Sequence, residues 1–349
     1  MARVAGTLSP HATLDPNTAP TVKFKFFSAF RRHRPPQRAA PNVQVYRGFP
    51  VRAATRHLAL TIGNFDGVHC GHQAMIQRLT EAAEDLELPP AVLTFDPHPR
   101  EFFARDAAPP RLSSLRGKLE QFTARGVAEV HIARFDARLA GLSAEEFIDR
   151  ILAERLRTRW VLVGDDFRFG RGRLGDLVLL RAKASSFSVE AMPTVSVDGE
   201  RVSSSAVRVA LAKGELEHAA RLLGRSYAIT GRVAHGDKRG RNLGFPTANV
   251  PLRHKPAISG VFAVRVHGLS ESARTGVASL GVRPTVAVGA RPLLEVFVFD
   301  FDEAIYGRRV TVEFLHKLRD EERYPDLDAL VRQMRVDADQ AREFFATQK

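Results

Sequence analysis

Between Leu58 and Leu86 the chain runs from an unbroken apolar stretch through a small-residue turn into a helix, and this order constrains the fold more than any other segment. The run Leu58-Ala-Leu-Thr-Ile62 reads as a strand, and Ala74, Ile76, Leu79, Ala83 and Leu86 recur at helical spacing beyond the turn. A helix that opens directly off a strand presents unpaired backbone N–H groups and the positive end of its dipole, which suits phosphate oxygens. His69 and His72 lie three apart at that opening, so both rings can face one side and add donors. Zinc is the weaker reading, because Cys70 lies between the histidines and no second Cys/His cluster follows nearby. Two histidines around a glycine also fit a solvated turn, so the rest of the chain decides.

The same alternation continues to Gly224. Strands are expected at Leu58–Gly63, Ala91–Phe95, Glu129–Ala133, Trp160–Gly164 and Ser188–Met192, with amphipathic helices near 71–86, 115–125, 144–156 and 175–184 and a further helix at 205–211. Such a pattern predicts a mostly parallel sheet covered on both faces, with ligands at the carboxyl ends of the strands. The distinctive residues fall at those ends: Asn64–His72, Asp96–Pro99 and Asp165–Gly170. After Gly224-Arg-Ser226 the character changes. Strands are expected at Tyr227–His235, Val261–His267, Gly276–Gly281, Leu293–Phe299 and Arg309–Phe314, followed by one closing helix with Asp326 as its N-cap. That is a small antiparallel barrel or sandwich with a C-terminal helix. We therefore expect a Rossmann-like α/β domain over 43–224 and a barrel domain over 225–349, which suits a chain of 349 residues.

Composition narrows the class. Apolar content of 44% and charged content of 26% are those of a soluble globular protein, and no apolar run approaches the roughly 20 residues of a membrane span. A single cysteine excludes an intrachain disulfide and makes a reducing cytoplasm the default. The net charge of +13 suggests nucleic acid, but residues 1–42 carry seven basic residues against one acid, and the remaining excess is spread thinly. A polyphosphate-handling protein needs basic clefts in any case, so no nucleic-acid partner is expected. The first 42 residues, rich in Pro, Ala, Thr and Arg, read as an extension: a disordered tail or an early start codon in preference to a transit peptide.

Further motifs carry chemistry. Asp96-Pro-His-Pro99 is a rigid turn holding a carboxylate and an imidazole, or simply a strand terminator. In Val163-Gly-Asp-Asp-Phe-Arg-Phe-Gly170, Phe167 and Phe169 can wall a planar ring and Asp166 can accept its N–H groups. Ser203-Ser-Ser-Ala-Val-Arg208 opens a helix with three hydroxyls and an arginine, more than an N-cap needs. In the second domain, glycines 236, 240 and 244 with Lys238, Arg239 and Arg241 can wrap phosphates, although the Walker A spacing is absent. Thr247 and Asn249 then offer hard oxygen ligands for a magnesium ion. On pattern alone, Glu295 is an exposed strand acid.

Together these motifs resemble the bacterial bifunctional riboflavin kinase/FAD synthetase family across 43–349. The family's G-N-F-D-G-V-H-x-G-H motif is matched at Gly63–His72, which implies ATP binding by Gly63, Asn64, Phe65, Asp66, Gly67, Gly71, His69 and His72. Its S-S-T-x-I-R phosphate motif is matched at Ser203, Ser204, Ser205 and Arg208, with Ser205 for Thr and Val207 for Ile. The V-G-x-D-F-R-F-G segment implies flavin contacts by Asp166, Phe167, Arg168 and Phe169. G-x-x-L-G-F-P-T-A-N, the kinase hallmark, is matched at Gly240–Asn249, implying that Gly240, Gly244 and Lys238 bind phosphate and that Thr247 and Asn249 hold Mg2+. The resemblance also implies Glu295 as catalytic base and Arg319 as a flavin-side contact, and it leaves Cys70 at a variable position.

The implied chemistry is phosphorylation of riboflavin by ATP in the barrel, then transfer of AMP from ATP to FMN in the first domain with release of pyrophosphate. The second step needs two polyanions held in line and charge stabilised on the leaving group, for which His69, His72, Ser204 and Arg208 are suited. Riboflavin, FMN and ATP are the expected partners of a cytoplasmic monomer or weak homo-oligomer. A transferase for another phosphorylated small molecule would share H-x-G-H but lack the P-T-A-N barrel. A non-catalytic flavin-binding or nucleic-acid-binding regulator would not be expected to keep His72, Arg208, Asn249 and Glu295.

Overall fold

A computed structural model describes residues 43–49, 56–104, 107–235, 245–281 and 292–348. The first unit is a six-stranded, wholly parallel sheet: β1 (Gln44–Arg47), β2 (Leu58–Ile62), β3 (Pro90–Phe95), β4 (Glu129–Ala133), β5 (Thr158–Gly164) and β6 (Ser188–Met192) in the order β1-β4-β3-β2-β5-β6. Every residue of β2 and β4 is buried, which accounts for the unbroken apolar run of β2. Helices α1 (Cys70–Asp85), α2 (Pro99–Phe103), α3 (Leu115–Thr123), α4 (Ala137–Gly141), α5 (Ala144–Glu146) and α6 (Leu177–Lys183) connect the strands. The chain continues from α5 as a π-wound stretch, Phe147–Arg155, that keeps Phe147, Ile148, Ile151 and Leu152 on the sheet. The chain leaves β2 toward β3 on one side and later returns to β5 on the other. That makes the crevice between the carboxyl ends of β2 and β5 the topological switch point.

A small hairpin, β7 (Ser196–Val197) with β8 (Glu200–Arg201), leads into α7 (Ser204–Lys213) and α8 (Leu216–Leu223). Both helices end on left-handed glycines, Gly214 and Gly224. Their apolar faces, from Val207 to Leu223, share one continuous core with the interior of the second unit, including Tyr227, Phe262, Val264 and Phe314. The two domains are therefore joined through packing as well as through the chain.

The second unit is a six-stranded sheet: β9 (Ala228–Arg232), β10 (Thr247–Pro251), β11 (Gly260–His267), β12 (Arg274–Gly281), β13 (Leu293–Val298) and β14 (Arg309–Arg319) in the order β10-β13-β12-β11-β14-β9, every pair antiparallel. The Ala234–Asn249 bridge joins the two edges, with the Ala234 N–H donating to the Asn249 carbonyl at 2.8 Å, and closes the sheet into a barrel. Of the two expected forms, barrel and sandwich, the barrel is found. The expected strands and long helices are all present within a few residues. β1, β7, β8 and β10 and the helices α2, α4 and α8 were not anticipated. β10 follows Pro246 and ends on Pro251, and it is held by its non-local partner β13, which local propensity does not report.

The closing helix, α9 (Leu327–Thr347), is capped by Asp326, whose carboxylate accepts from the Ala329 N–H at 2.7 Å. It packs Ala338, Ala341, Phe344 and Phe345 on the outer barrel face around Phe297 and Phe299. Arg319 at the end of β14 donates to both carboxylate oxygens of buried Asp337 at 2.8 and 2.7 Å, and Gln333 adds a third bond to Asp337. Among the described residues no helix is long and apolar enough to cross a membrane. Arg319→Met leaves Asp337 buried without its cation and is expected to cost about 3 kcal/mol. Urea unfolding followed by circular dichroism checks this, and an unchanged midpoint would show that the pair does not hold the helix.

Candidate active sites

Sequence-distant motifs converge at the switch point. Strand order β3-β2-β5 sets the segments starting at Asp96, Gly63 and Asp165 side by side at one edge of the sheet. His69 is the N-cap of α1, and its Nδ1 accepts from the His72 N–H at 3.3 Å. The two imidazoles stack with centroids 3.6 Å apart, and His72 leans on the buried Phe65 ring at 5.0 Å. Gly71 permits this, since a Cβ there would stand 3.3 Å from the His69 ring. Gly67 has φ +84° and would bring a Cβ within 2.8 Å of Leu112, so the turn needs glycine on both counts.

The turn is held from behind. Arg225 donates to the carbonyls of Gly67 (2.7 Å), Val68 (3.1 Å) and Leu223 (3.1 Å), and Gln73 Nε2 donates to Val68 and Leu223. These bonds draw the turn's carbonyls away from any anion at its front. Arg225, marked in the sequence only by the change of character after Gly224-Arg-Ser226, is therefore a structural element of the turn. Cys70 is buried on this rear side, its Sγ 3.5 Å from the Arg221 carbonyl.

Asp66 faces inward. Its carboxylate accepts from the Leu112 and Ser113 N–H groups at 3.1–3.2 Å, from Ser113 Oγ at 3.3 Å and from Arg208 Nη2 at 2.5 Å. Arg208 Nε also donates to the Pro110 carbonyl at 2.7 Å. Ser204 Oγ donates to the Asp66 carbonyl at 2.9 Å, Ser203 caps α7 by accepting from the Ala206 N–H, and Ser205 is exposed. Of the three hydroxyls, then, one caps the helix, one ties it to the glycine turn and one is open.

Burial dominates the electrostatics here. It pulls His69 down to about 4, aided by Arg208 and Arg225 and opposed by Asp66. It holds His72 well below the ordinary histidine value, with His69 and Lys118 adding to the effect. It likewise brings His98 down to about 4. All three rings are neutral at physiological pH. The Asp96-Pro-His-Pro99 motif is a built corner: His98 caps α2, accepting from the Arg100 N–H at 3.1 Å, while Asp96 and Glu101 both bind Arg111. Beside it lies an aromatic cluster that motif reading missed. Phe95, Phe102, Phe103 and Phe135 meet edge-on with centroids 5.1–5.8 Å apart, and Phe103 is 68% exposed.

The flavin-side segment divides. Phe169 is a core residue against Phe147 and Gly175, while Phe167 is half-buried and stacks on it at 5.3 Å. Asp166 is exposed and paired with Arg201 at 2.6 Å, and Arg168 is paired with Asp176 at 3.2 Å.

In the barrel, the β10–β13 register sets Asn249 directly opposite Glu295 and Thr247 opposite Phe297, and β12 brings Ser279 opposite Glu295 from the other side. Forty-six residues apart in sequence, Asn249 and Glu295 share one face. Asn249 Oδ1 is buried and has no hydrogen-bond partner among the described residues. A cavity of about 220 Å3 opens beside it, lined by Thr247, Asn249, Val298, Asp302, Ile305 and Tyr306, with the His235 ring stacked on Tyr306 at 3.9 Å. Lys238, Gly240 and Gly244, together with Gly236, Arg239 and Arg241, lie outside the described residues. Arg319, expected on the flavin side, has its guanidinium committed to Asp337, with Tyr324 beneath it at 5.7 Å. Among the described residues no cluster of three or more His, Cys, Asp or Glu is suited to hold a metal on its own.

Comparison with known proteins follows the same division. Residues 51–206 match the FAD synthetase family model and residues 223–345 the riboflavin kinase model. The bifunctional riboflavin kinase/FMN adenylyltransferase of Escherichia coli strain K12 is 48% identical over 293 residues, covering 83% of this chain and 93% of that protein. The corresponding protein of Pseudomonas fluorescens is 46% identical over 308 residues, covering 87% and 98%. A crystal structure from Streptococcus pneumoniae, described as a macrolide-efflux protein, superimposes with a TM-score of 0.69 at 28% identity, covering 84% of this chain and 97% of that one. The two sites, the two family matches and relatives matched over nearly their whole length agree: the chain belongs to the bifunctional riboflavin kinase/FMN adenylyltransferase family, an FAD synthetase domain followed by a riboflavin kinase domain.

Proposed function

We propose that the two reactions run at two separate sites, with the domains divided near Gly224. The observation that carries this reading is the pairing of Asn249 with Glu295 on one barrel face, far along the chain from the stacked His69–His72 pair at the sheet edge. In the barrel, Glu295 accepts the proton of the ribityl 5′-hydroxyl as that oxygen attacks the γ-phosphate of ATP. The cavity beside Tyr306 takes the nucleotide, and Lys238, Gly240 and Gly244 supply phosphate contacts. The orphaned Asn249 Oδ1 fits a hard cation, and Thr247 and Asn249 would hold Mg2+ together with substrate oxygens. When bound, Mg2+ neutralises phosphate charge.

At the sheet edge, neutral His69 and His72 serve as N–H donors to the ATP phosphates, alongside the backbone of Gly63, Asn64, Phe65, Gly67 and Gly71. Ser204, Ser205 and Arg208 stabilise the departing pyrophosphate while Asp66 fixes the angle of Arg208. The ring of FMN rests on Phe167 and the exposed phenylalanines 102 and 103, between Asp166 and Arg168. Arg319 positions α9 over the flavin face of the barrel instead of touching the ring. The enzyme works in the cytoplasm as a monomer or weak homo-oligomer, without nucleic acid.

The two activities are expected to separate. Glu295→Gln should lower FMN formation at least about 100-fold and leave FMN-to-FAD conversion intact. His72→Ala should do the reverse, with a loss of similar size. Chromatography of FMN and FAD over time reads both, and either substitution abolishing both steps in a folded chain would refute two independent sites. Burial of neutral His69 also sets a pH dependence. Its unfolded form binds a proton near 6.5 and its folded form only near 4, so its contribution is complete above 6.5 and is lost as pH falls toward 4. Between pH 7 and pH 5 the wild-type chain should lose roughly 2 kcal/mol more stability than His69→Gln, measured by urea unfolding at both pH values. Equal losses would show that His69 is not buried in neutral form.

A further inference from the structure

Lys118 is a buried cation that no step above uses. It projects from α3, is 3% exposed, and Nζ donates at 2.8 Å to the carbonyl of Asn64, which Thr94 Oγ1 also approaches at 3.3 Å. Lysines are almost never so buried without a specific partner, and one backbone carbonyl satisfies only one of the three N–H donors of an ammonium. Around it the described residues leave two further buried polar atoms without partners, Asn64 Oδ1 and His72 Nδ1. Of the two, His72 Nδ1 can carry an N–H toward a bound anion, whereas Asn64 Oδ1 is an acceptor and calls for a donor.

We infer that Lys118 is a positioning residue of adenylyl transfer. Its ammonium pins the Asn64 carbonyl at 2.8 Å and so fixes the turn that presents Asn64 and His72 to the nucleotide. Around the His72 ring stand His69 from the N-cap of α1 and Lys118 from α3, with the apolar Phe65 against its other side, and burial is the main reason that the ring is neutral. Lys118 in turn lies within the field of Asp66, Asp96, Glu101 and Arg111, and the three carboxylates support its charge against burial. A neutral His72 with an unpaired Nδ1 can give an N–H to a phosphate oxygen without carrying a bound proton through the reaction. A lysine that only filled space would need no charge, and methionine would replace it.

The inference rests on placing adenylyl transfer at the His69–His72 turn, and the two can fail separately. Wild type, K118M, K118Q and K118R would be assayed for FMN adenylylation, with kcat and KM for ATP read separately, and for riboflavin phosphorylation on the same preparations. In K118M and K118Q kcat for adenylylation should fall at least about tenfold with a smaller change in KM. Riboflavin phosphorylation should stay within about twofold of wild type, and K118R should restore the adenylylation rate. An unchanged kcat for adenylylation in a neutral variant that still phosphorylates riboflavin would overturn the inference. So would loss of the kinase reaction in both neutral variants, which would make Lys118 a fold residue. If H72Q retained full adenylylation, the placement of the site itself would be wrong, whatever Lys118 does.

Discussion

The buried carboxylate of Asp66 is the constraint on which the first site depends. It gathers the N–H groups of Leu112 and Ser113, the Ser113 hydroxyl and the Arg208 guanidinium around one point. Those groups come from the segment before α3 and the first turns of α7, and they meet on the turn after β2. A buried carboxylate without such partners would be strongly unfavourable, so each partner is held as firmly as the charge demands. The candidate site at the sheet edge is thus assembled around an internal anion.

The same segment reaches across to the barrel. The Arg111 N–H donates to the Lys255 carbonyl at 3.2 Å, and Arg111 also clamps Glu101 and Asp96 beside the aromatic cluster. With α7 and α8 sharing the barrel core, the glycine turn of one domain is braced by the other. The FAD synthetase and riboflavin kinase domains thus meet through that shared core, and the product of the second, FMN, is the substrate of the first.

Much of this was legible in the sequence. Period and punctuation located the expected strands and long helices to within a few residues, because hydrophobic periodicity is a local property of the chain. The turn at Gly63–His72 could be placed at a strand end for the same reason. Local pattern was silent on β10, whose prolines at 246 and 251 hide a strand held by its pairing with β13, and on the π-wound continuation of α5. It also could not distinguish residues of one motif by role. Phe169 lies in the core while Phe167 is half-buried, and Asp66 points inward although its neighbours in the motif line the turn.

The sequence by itself determined the fold class of each domain and, through the family motifs, the two activities and their order along the chain. Those rest on residue types and short spacings, which the backbone expresses locally. The tertiary structure decided which groups meet. The strand order brings the segments at residues 63, 96 and 165 to one crevice, and the antiparallel register sets Asn249 against Glu295. It also turns Arg225 and Lys118 from incidental charges into braces of the glycine turn, since a buried cation takes its role from the partners that burial leaves it.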